Sequence, residues 1–253
     1  MSSTFINNLL QQLDNLHKHP EGRLLISNGD YWAVLHSLDI PTRALCEVST
    51  NTYLPKHALL SDEQRKAIEN LSYTQRRRKR SLGKLVPIST QTHHEQCAAE
   101  LNYIFDDIFL APFEDAQLHF FPNVRSKLNN KDLLKDMKRL SKQRQHSARI
   151  ALYKTLLNSS LLLLVENEND SQPLQTGTLA GFPVFTCFTD YESARCYDPR
   201  VGSLHETFAF QIFQNIWALN IGSLQINPKG DIGGDLYRNE IETLIQAINR
   251  RSN

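Results

Sequence analysis

The chain has 253 residues, with 28 Lys and Arg against 27 Asp and Glu for a net charge of +1, a length that accommodates one or two domains, each with its own core. Hydrophobic residues make up 40% and charged residues 22%, an ordinary globular composition that excludes a disordered or fibrous chain. Charge is unevenly spread, with a net of −2 over residues 1–75, +7 over 76–149 and −4 over 150–253, which predicts two folded units and a charged connector.

The N-terminal "MSSTFINNLLQQLDNLHKHP" has apolar residues at helical spacing and no basic region followed by an unbroken apolar stretch, so it does not read as a signal peptide. Phe5, Leu9, Leu13 and Leu16 predict an amphipathic helix that stops before Pro20 and Gly22. Strands are expected at "RLLIS", "YWAVLHSL" and "RALCEVST", the first two joined as a hairpin by "NGD". In "LSDEQRKAIENL" Ser61 and Gln64 have the spacing of a capping box. "YTQRRRKR" and "KLVPIS" follow as possible strands, and then a helix from about Thr92 to Leu110 with Cys97, Leu101, Ile104 and Ile108 on its buried stripe. The segment from Gln117 to Arg149, rich in Lys, Arg, Asn and Gln, reads as a basic bridge with one exposed helix from Lys131 to about His146.

Beyond the bridge the expected order is helix "IALYKTLLNS", strand "LLLLVEN", polar loop "ENDSQPLQTGTLAG", strand "PVFTCFTD" and short helix "YESARCY". A longer helix is expected around "LHETFAFQIFQNI", where Leu204, Phe208, Ile212 and Ile216 stand four apart, then strand "ALNIGSLQIN" and a closing helix buried through Ile241, Leu244, Ile245 and Ile248. "LLLLV" is far too short to span a bilayer. Four cysteines without CxxC spacing are too few for a disulfide scaffold, and the chain reads as cytoplasmic with reduced thiols. The fold class is therefore α/β (α+β), two small mixed domains, each a sheet with flanking helices. Their expected bounds are 1–121 and 148–253, with 122–147 as a basic helical linker.

The glycine-rich "NPKGDIGGD" between the last strand and the last helix invites comparison with phosphate loops. It has neither GxxxxGK[ST] nor GxGxxG, and Asp231 and Asp235 would repel an anion. Turn chemistry accounts for it: Asn227-Pro228 ends the strand, the glycines supply permissive φ, and Asp235 caps the helix. The loop is expected to turn the chain, with strain at Gly233 or Gly234 on β-branched substitution.

The same region, a strand ending in "INP", a glycine-bearing loop and "L…EI..L", together with "GFPVFTCFTDYESA", resembles the SseB N-terminal-domain family over about residues 148–250. Tyr237 departs from that pattern, where a Ser or Thr cap is usual. The resemblance implies a small α/β domain without known catalytic residues, found in bacterial proteins of which some are linked to secretion or toxin-related loci. Over residues 4–112 the order helix, three strands, "EVSTNTYL", "LSDEQRKAIENL" and a long final helix resembles the peptide-binding chaperone fold of type III secretion chaperones and YbjN-like proteins. That resemblance implies a module that binds a peptide or a partner protein.

No catalytic constellation is legible. There is no GxSxG elbow, and "TCFTD" and "ARCYD" fit no cysteine-hydrolase context. Cys187 reads as a core residue in an alternating strand. His93 and Cys97 stand at i and i+4 but lack further ligands. Adjacent Asp106 and Asp107 point to different helix faces, and His205-Glu206 near a helix start reads as exposed charge. No catalytic, cofactor or metal residues are expected, and no cofactor. The basic run Arg76, Arg77, Arg78, Lys79 and Arg80 is the candidate partner-binding site. A solvated edge, an acidic protein partner, and nucleic acid or a membrane surface all remain open for it. No RRM, KH or helix-turn-helix pattern accompanies the run, which disfavours nucleic acid. The expected function is a non-enzymatic, protein-binding adaptor or chaperone-like component of a bacterial secretion system, with machinery subunits or secreted substrates as partners. The first module would hold a partner segment and the second would dock it. The alternatives are an immunity protein neutralising a toxin, or a nucleic-acid-associated regulator using the basic run.

Overall fold

The computed structural model describes residues 3–75, 81–122, 128–166, 172–198, 200–201 and 203–252. The chain divides into two compact units, Met1–Arg125 and Ser126–Asn253, and each contains a sheet with helices, as an α/β fold requires.

The first unit begins with α1 (Ser3–Lys18), whose Leu9, Leu13 and Leu16 are fully buried. Strands β1 (Arg23–Asn28) and β2 (Tyr31–Ser37) form the expected hairpin. Of its turn residues it is Gly29 that takes a positive φ, +58°. Next come β3 (Arg43–Val48), α2 (Asp62–Asn70), β4 (Thr74–Gln75) and β5 (Leu82–Pro87). Both bonds of the capping box form at α2, where Ser61 Oγ accepts from Gln64 N and Gln64 Oε1 accepts from Ser61 N. Helix α3 (Gln91–Tyr103) runs on into a π turn at Ile104–Phe109 and stops at Leu110 in the left-handed region, φ 57°. Cys97, Leu101, Ile104 and Ile108 are all buried along it. Strand β6 (Gln117–Phe121) pairs antiparallel with β1, so the first residues expected in the bridge instead complete a six-stranded antiparallel sheet, β4-β5-β3-β2-β1-β6. Leu24, Ile26, Ala33, Leu35 and Cys46 meet the helical layer in one core.

The second unit comprises α4 (Lys131–Gln143), α5 (His146–Leu157), β7 (Ser160–Leu164), β8 (Gln175–Leu179), β9 (Phe182–Phe188), α6 (Tyr191–Tyr197), β10 (Leu204–Phe208), α7 (Ala209–Ala218), β11 (Ser223–Ile226), β12 (Gly234–Tyr237) and α8 (Arg238–Ser252). Its mixed sheet runs β10-β7-β9-β11-β12, with β9 and β11 parallel and β8 beside the start of β9. Helices α4, α5, α7 and α8 cover one face through Leu133, Leu156, Phe213 and Ile241.

Four expectations are corrected here. Residues 204–208 form a strand and not the start of the long helix. A four-residue spacing of apolar side chains is also a multiple of the two-residue strand period, and β7 is aliphatic with an edge that needs backbone partners, which β10 supplies. β8 lies within the stretch expected to be loop. Asp235 sits in β12 opposite Gln225 and does not cap α8. Finally, α4 is not a linker element: Leu133 and Met137 are buried in the second core, with Leu140 packed against it. The Lys and Arg residues that suggested a connector occupy its other face, as an amphipathic surface helix demands. Leu133→Ala should therefore destabilise the second unit by about 2–5 kcal/mol, read as faster hydrogen exchange in α5 and β7. Unchanged exchange would return the segment to the role of a spacer.

Candidate functional site

The glycine-rich loop joins β11 to β12, and a buried asparagine organises it. Asn227 takes a positive φ, 51°, in the left-handed region that Asn tolerates better than most residues. Its Nδ2 donates to Thr189 Oγ1 (2.8 Å) and to Ile232 O (3.1 Å), and its Oδ1 accepts from Thr189 N (2.9 Å). Gly230 N donates to Asn227 O at 2.9 Å and closes the turn. A Cβ at Gly233 would fall 2.5 Å from Asn227 O and 2.9 Å from Ile226 O, so two stretches of backbone approach too closely there for any side chain. A Cβ at Gly234 would meet nothing within 4 Å. Neither glycine has a positive φ. The expected strain thus comes from backbone contact at Gly233 and does not extend to Gly234.

The open space beside Gly234 belongs to a cavity of about 510 Å³ between β12 and the α4–α5 hairpin. Its walls are mainly apolar, with Met137 and Leu140 from α4, Leu152 and Leu156 from α5, and Ile226 and Leu236 from the sheet. Also in the lining, Tyr153 donates to Glu240 Oε1 at 2.6 Å. Partial burial, reinforced by the Glu240 carboxylate, pushes the Tyr153 hydroxyl above the usual tyrosine range and keeps it a donor. Glu240 Oε2 also accepts from Tyr237 N at 3.2 Å, partly replacing the missing Ser or Thr cap of α8. The guanidinium of Arg238, the first residue of α8, lies 5.1 Å from the Trp217 ring centroid and 5.6 Å from that of Phe182.

Arg144 and Arg149 complete the lining. Both are exposed, and neither has an ion-pair partner among the described residues. Arg144 ends α4 with φ 40° and donates its amide to Leu140 O.

The remaining wall is a strand edge. β12 pairs with β11 on one side and ends the sheet on the other. Arg238 N bonds back to Gly222 O, so by the two-residue alternation of an antiparallel ladder the backbone groups of Asp235 and Tyr237 point away from β11. Glu240 takes the Tyr237 amide, while that of Asp235 faces outward. Leu236 packs into the helix-side core, which puts the Asp235 and Tyr237 side chains on the opposite face. On its helical side the groove therefore presents open space at Gly234, an apolar floor, two arginines and the Glu240 carboxylate that holds Tyr153.

The basic run 76–80 lies outside the described residues. The other candidates stay apart from the groove. His93 is half-buried with its Nδ1 3.2 Å from Ser89 Oγ, and Cys97 is buried. Among the described residues no group of three His, Cys, Asp or Glu could hold a metal. Asp106 and Asp107 are exposed, and Asp106 Oδ1 accepts from Phe113 N. His205 and Glu206 lie in β10, not at a helix start. One polar trio was not legible in the sequence. Glu47 on β3 accepts from Ser81 Oγ at 2.7 Å and lies 3.1 Å from His36 Nε2, with all three residues buried. The carboxylate stands between histidine and serine, so the histidine does not adjoin the hydroxyl as it would in a Ser-His-Asp triad. Burial pushes the Cys46 thiol up to about 12 and also raises those of Cys97 and Cys187.

No family model, curated protein or solved structure matches the chain. Among the described residues no helix is long and apolar enough to cross a membrane.

Gly233→Ala should cost about 1–3 kcal/mol, because the backbone must shift to admit the methyl group. Gly234→Val should change stability by no more than about 0.5 kcal/mol, because it grows into open space. Thermal unfolding of the two variants checks the distinction. At mildly alkaline pH, Cys46, Cys97 and Cys187 should resist iodoacetamide in the folded chain and react once it is unfolded, as peptide mass mapping would read.

Proposed function

We propose that the chain is a non-enzymatic protein-binding module, an adaptor or chaperone-like component of a bacterial secretion system, that holds an extended segment of its partner in the groove between β12 and α4–α5. The observation that carries this reading is the conjunction of an outward-facing strand edge with an adjoining apolar cavity. An added strand takes its main-chain hydrogen bonds from such an edge, and alternate side chains fill pockets beside it. The resemblance of residues 148–250 to the SseB N-terminal-domain family supports the secretion context. Burial holds the Cys46, Cys97 and Cys187 thiols protonated, so these three lend no support to nucleophilic catalysis. The partner-holding role, expected of the first unit, is here assigned to the second.

Ser141 is exposed on α4 and lines the groove, so Ser141→Trp fills the cavity without touching the core. Wild type and variant should melt alike. Affinity purification with mass spectrometry should recover a discrete, stoichiometric protein partner with the wild type alone. A partner retained by Ser141→Trp, or recovery of RNA in its place, would overturn the reading.

A further inference from the structure

We infer that the groove selects an extended segment in which an acidic side chain and an apolar one stand two residues apart. This rests on the protein-binding reading of the same groove and adds the chemistry of the occupant. A strand added to β12 sends every second side chain toward α4 and α5, about 6–7 Å apart. Gly234 contributes no side chain on that face, and the space beside it is bounded by Leu152, Leu156, Ile226 and Leu236. An apolar side chain of the incoming strand fits that space. The next helix-side position can meet Arg144 or Arg149, which line the same groove and have no ion-pair partner among the described residues.

Neither nearby acid forms an ion pair with the two arginines. Glu240 is committed to the Tyr153 hydroxyl and the Tyr237 amide, and the Asp235 carboxylate lies on the other face of the sheet. A lysine in the same place would face two arginines that no ion pair holds. The further positive charges of α4, including Lys138, Arg139 and Lys142, extend the preference to the approach of the segment by drawing acidic chains toward the groove.

The test uses the full chain and synthetic peptides about ten residues long, blocked at both ends so that terminal charge plays no part. One peptide alternates Val with Glu and Leu on the helix-side register, a second replaces each Glu by Lys, and a third replaces each Leu by Gly. Fluorescence anisotropy should show saturable binding of the first and at least about tenfold weaker binding of the other two, with affinity for the first falling as salt rises. The variant Arg144→Glu with Arg149→Glu, both at exposed positions, should reverse the order of the first two peptides. Hydrogen exchange should show the Asp235 amide protected when the first peptide is bound.

Equal binding of the Glu and Lys peptides, each protecting Asp235, would overturn the acidic preference and leave the groove a protein-binding site. Binding of the first peptide that survives both the charge-reversed variant and Ser141→Trp would place it elsewhere and overturn the inference. If no peptide binds while Ser141→Trp still releases a captured partner, the inference fails and the protein-binding reading stands. If no peptide binds and Ser141→Trp releases nothing, both fail.

Discussion

The far edge of the second sheet hangs on the side chain of Asn227. Its backbone N donates to Cys187 O at 3.0 Å, and its carboxamide bridges the end of β9 at Thr189 to the loop at Ile232. One buried group thus fixes where β11 ends, how the loop returns and where β12 begins. The role needs a donor and an acceptor on one short side chain in a left-handed backbone, a combination that asparagine supplies. Aspartate would set a carboxylate against the carbonyl of Ile232 and lose the donor. Gly233 follows from this constraint, because the return path sets the carbonyls of residues 226 and 227 where its Cβ would be. The loop is built to turn, yet in turning it delivers a strand edge.

The groove exists only when distant parts of the second unit are in place together. α4 and α5 come before the first strand of that sheet, and β12 is its last. The Tyr153–Glu240 hydrogen bond spans 87 residues and ties the helical wall to the start of α8. Arg238, flanked by Trp217 and Phe182, fixes the same junction from the side of α7. These contacts keep the two walls apart at a width that leaves about 510 Å³ between them. A side chain in place of Gly234 would enter that volume with little strain, since a Cβ there meets nothing within 4 Å.

Elements with a local cause were legible in the sequence. The β1–β2 hairpin rests on its turn residues, the start of α2 on the Ser61–Gln64 pair, and the stripe of α3 on helical spacing. The elements that escaped have tertiary causes. β10 shares its apolar spacing with a helix and becomes a strand because β7 requires a partner. β12 has a Gly-Asp beginning of poor strand propensity and is held by pairing with β11. The basic composition of α4 hid a buried stripe of Leu133 and Met137. The reading of the loop as a turn was within reach, since turn chemistry is local, but the assignment of strain to one glycine needed the opposing carbonyls. The groove was out of reach altogether, because its lining comes from three segments that only the fold brings together.

An exposed strand edge is a hazard unless something limits what may pair with it. Main-chain hydrogen bonds accept almost any extended sequence, so β12 alone would be indiscriminate. Its four residues keep the edge short, and the charge of Asp235 marks the face away from the helices. In the proposed binding mode, discrimination on the helical face falls to the cavity, which rewards one apolar side chain, and to Arg144 and Arg149, which penalise a cation beside it. Each arginine is exposed, and such pairs are individually worth only about 0–1 kcal/mol. Selectivity in that mode would come from requiring both features at once, at the two-residue spacing that strand geometry imposes. A flat apolar surface could impose no such register; an edge strand facing a helical wall does.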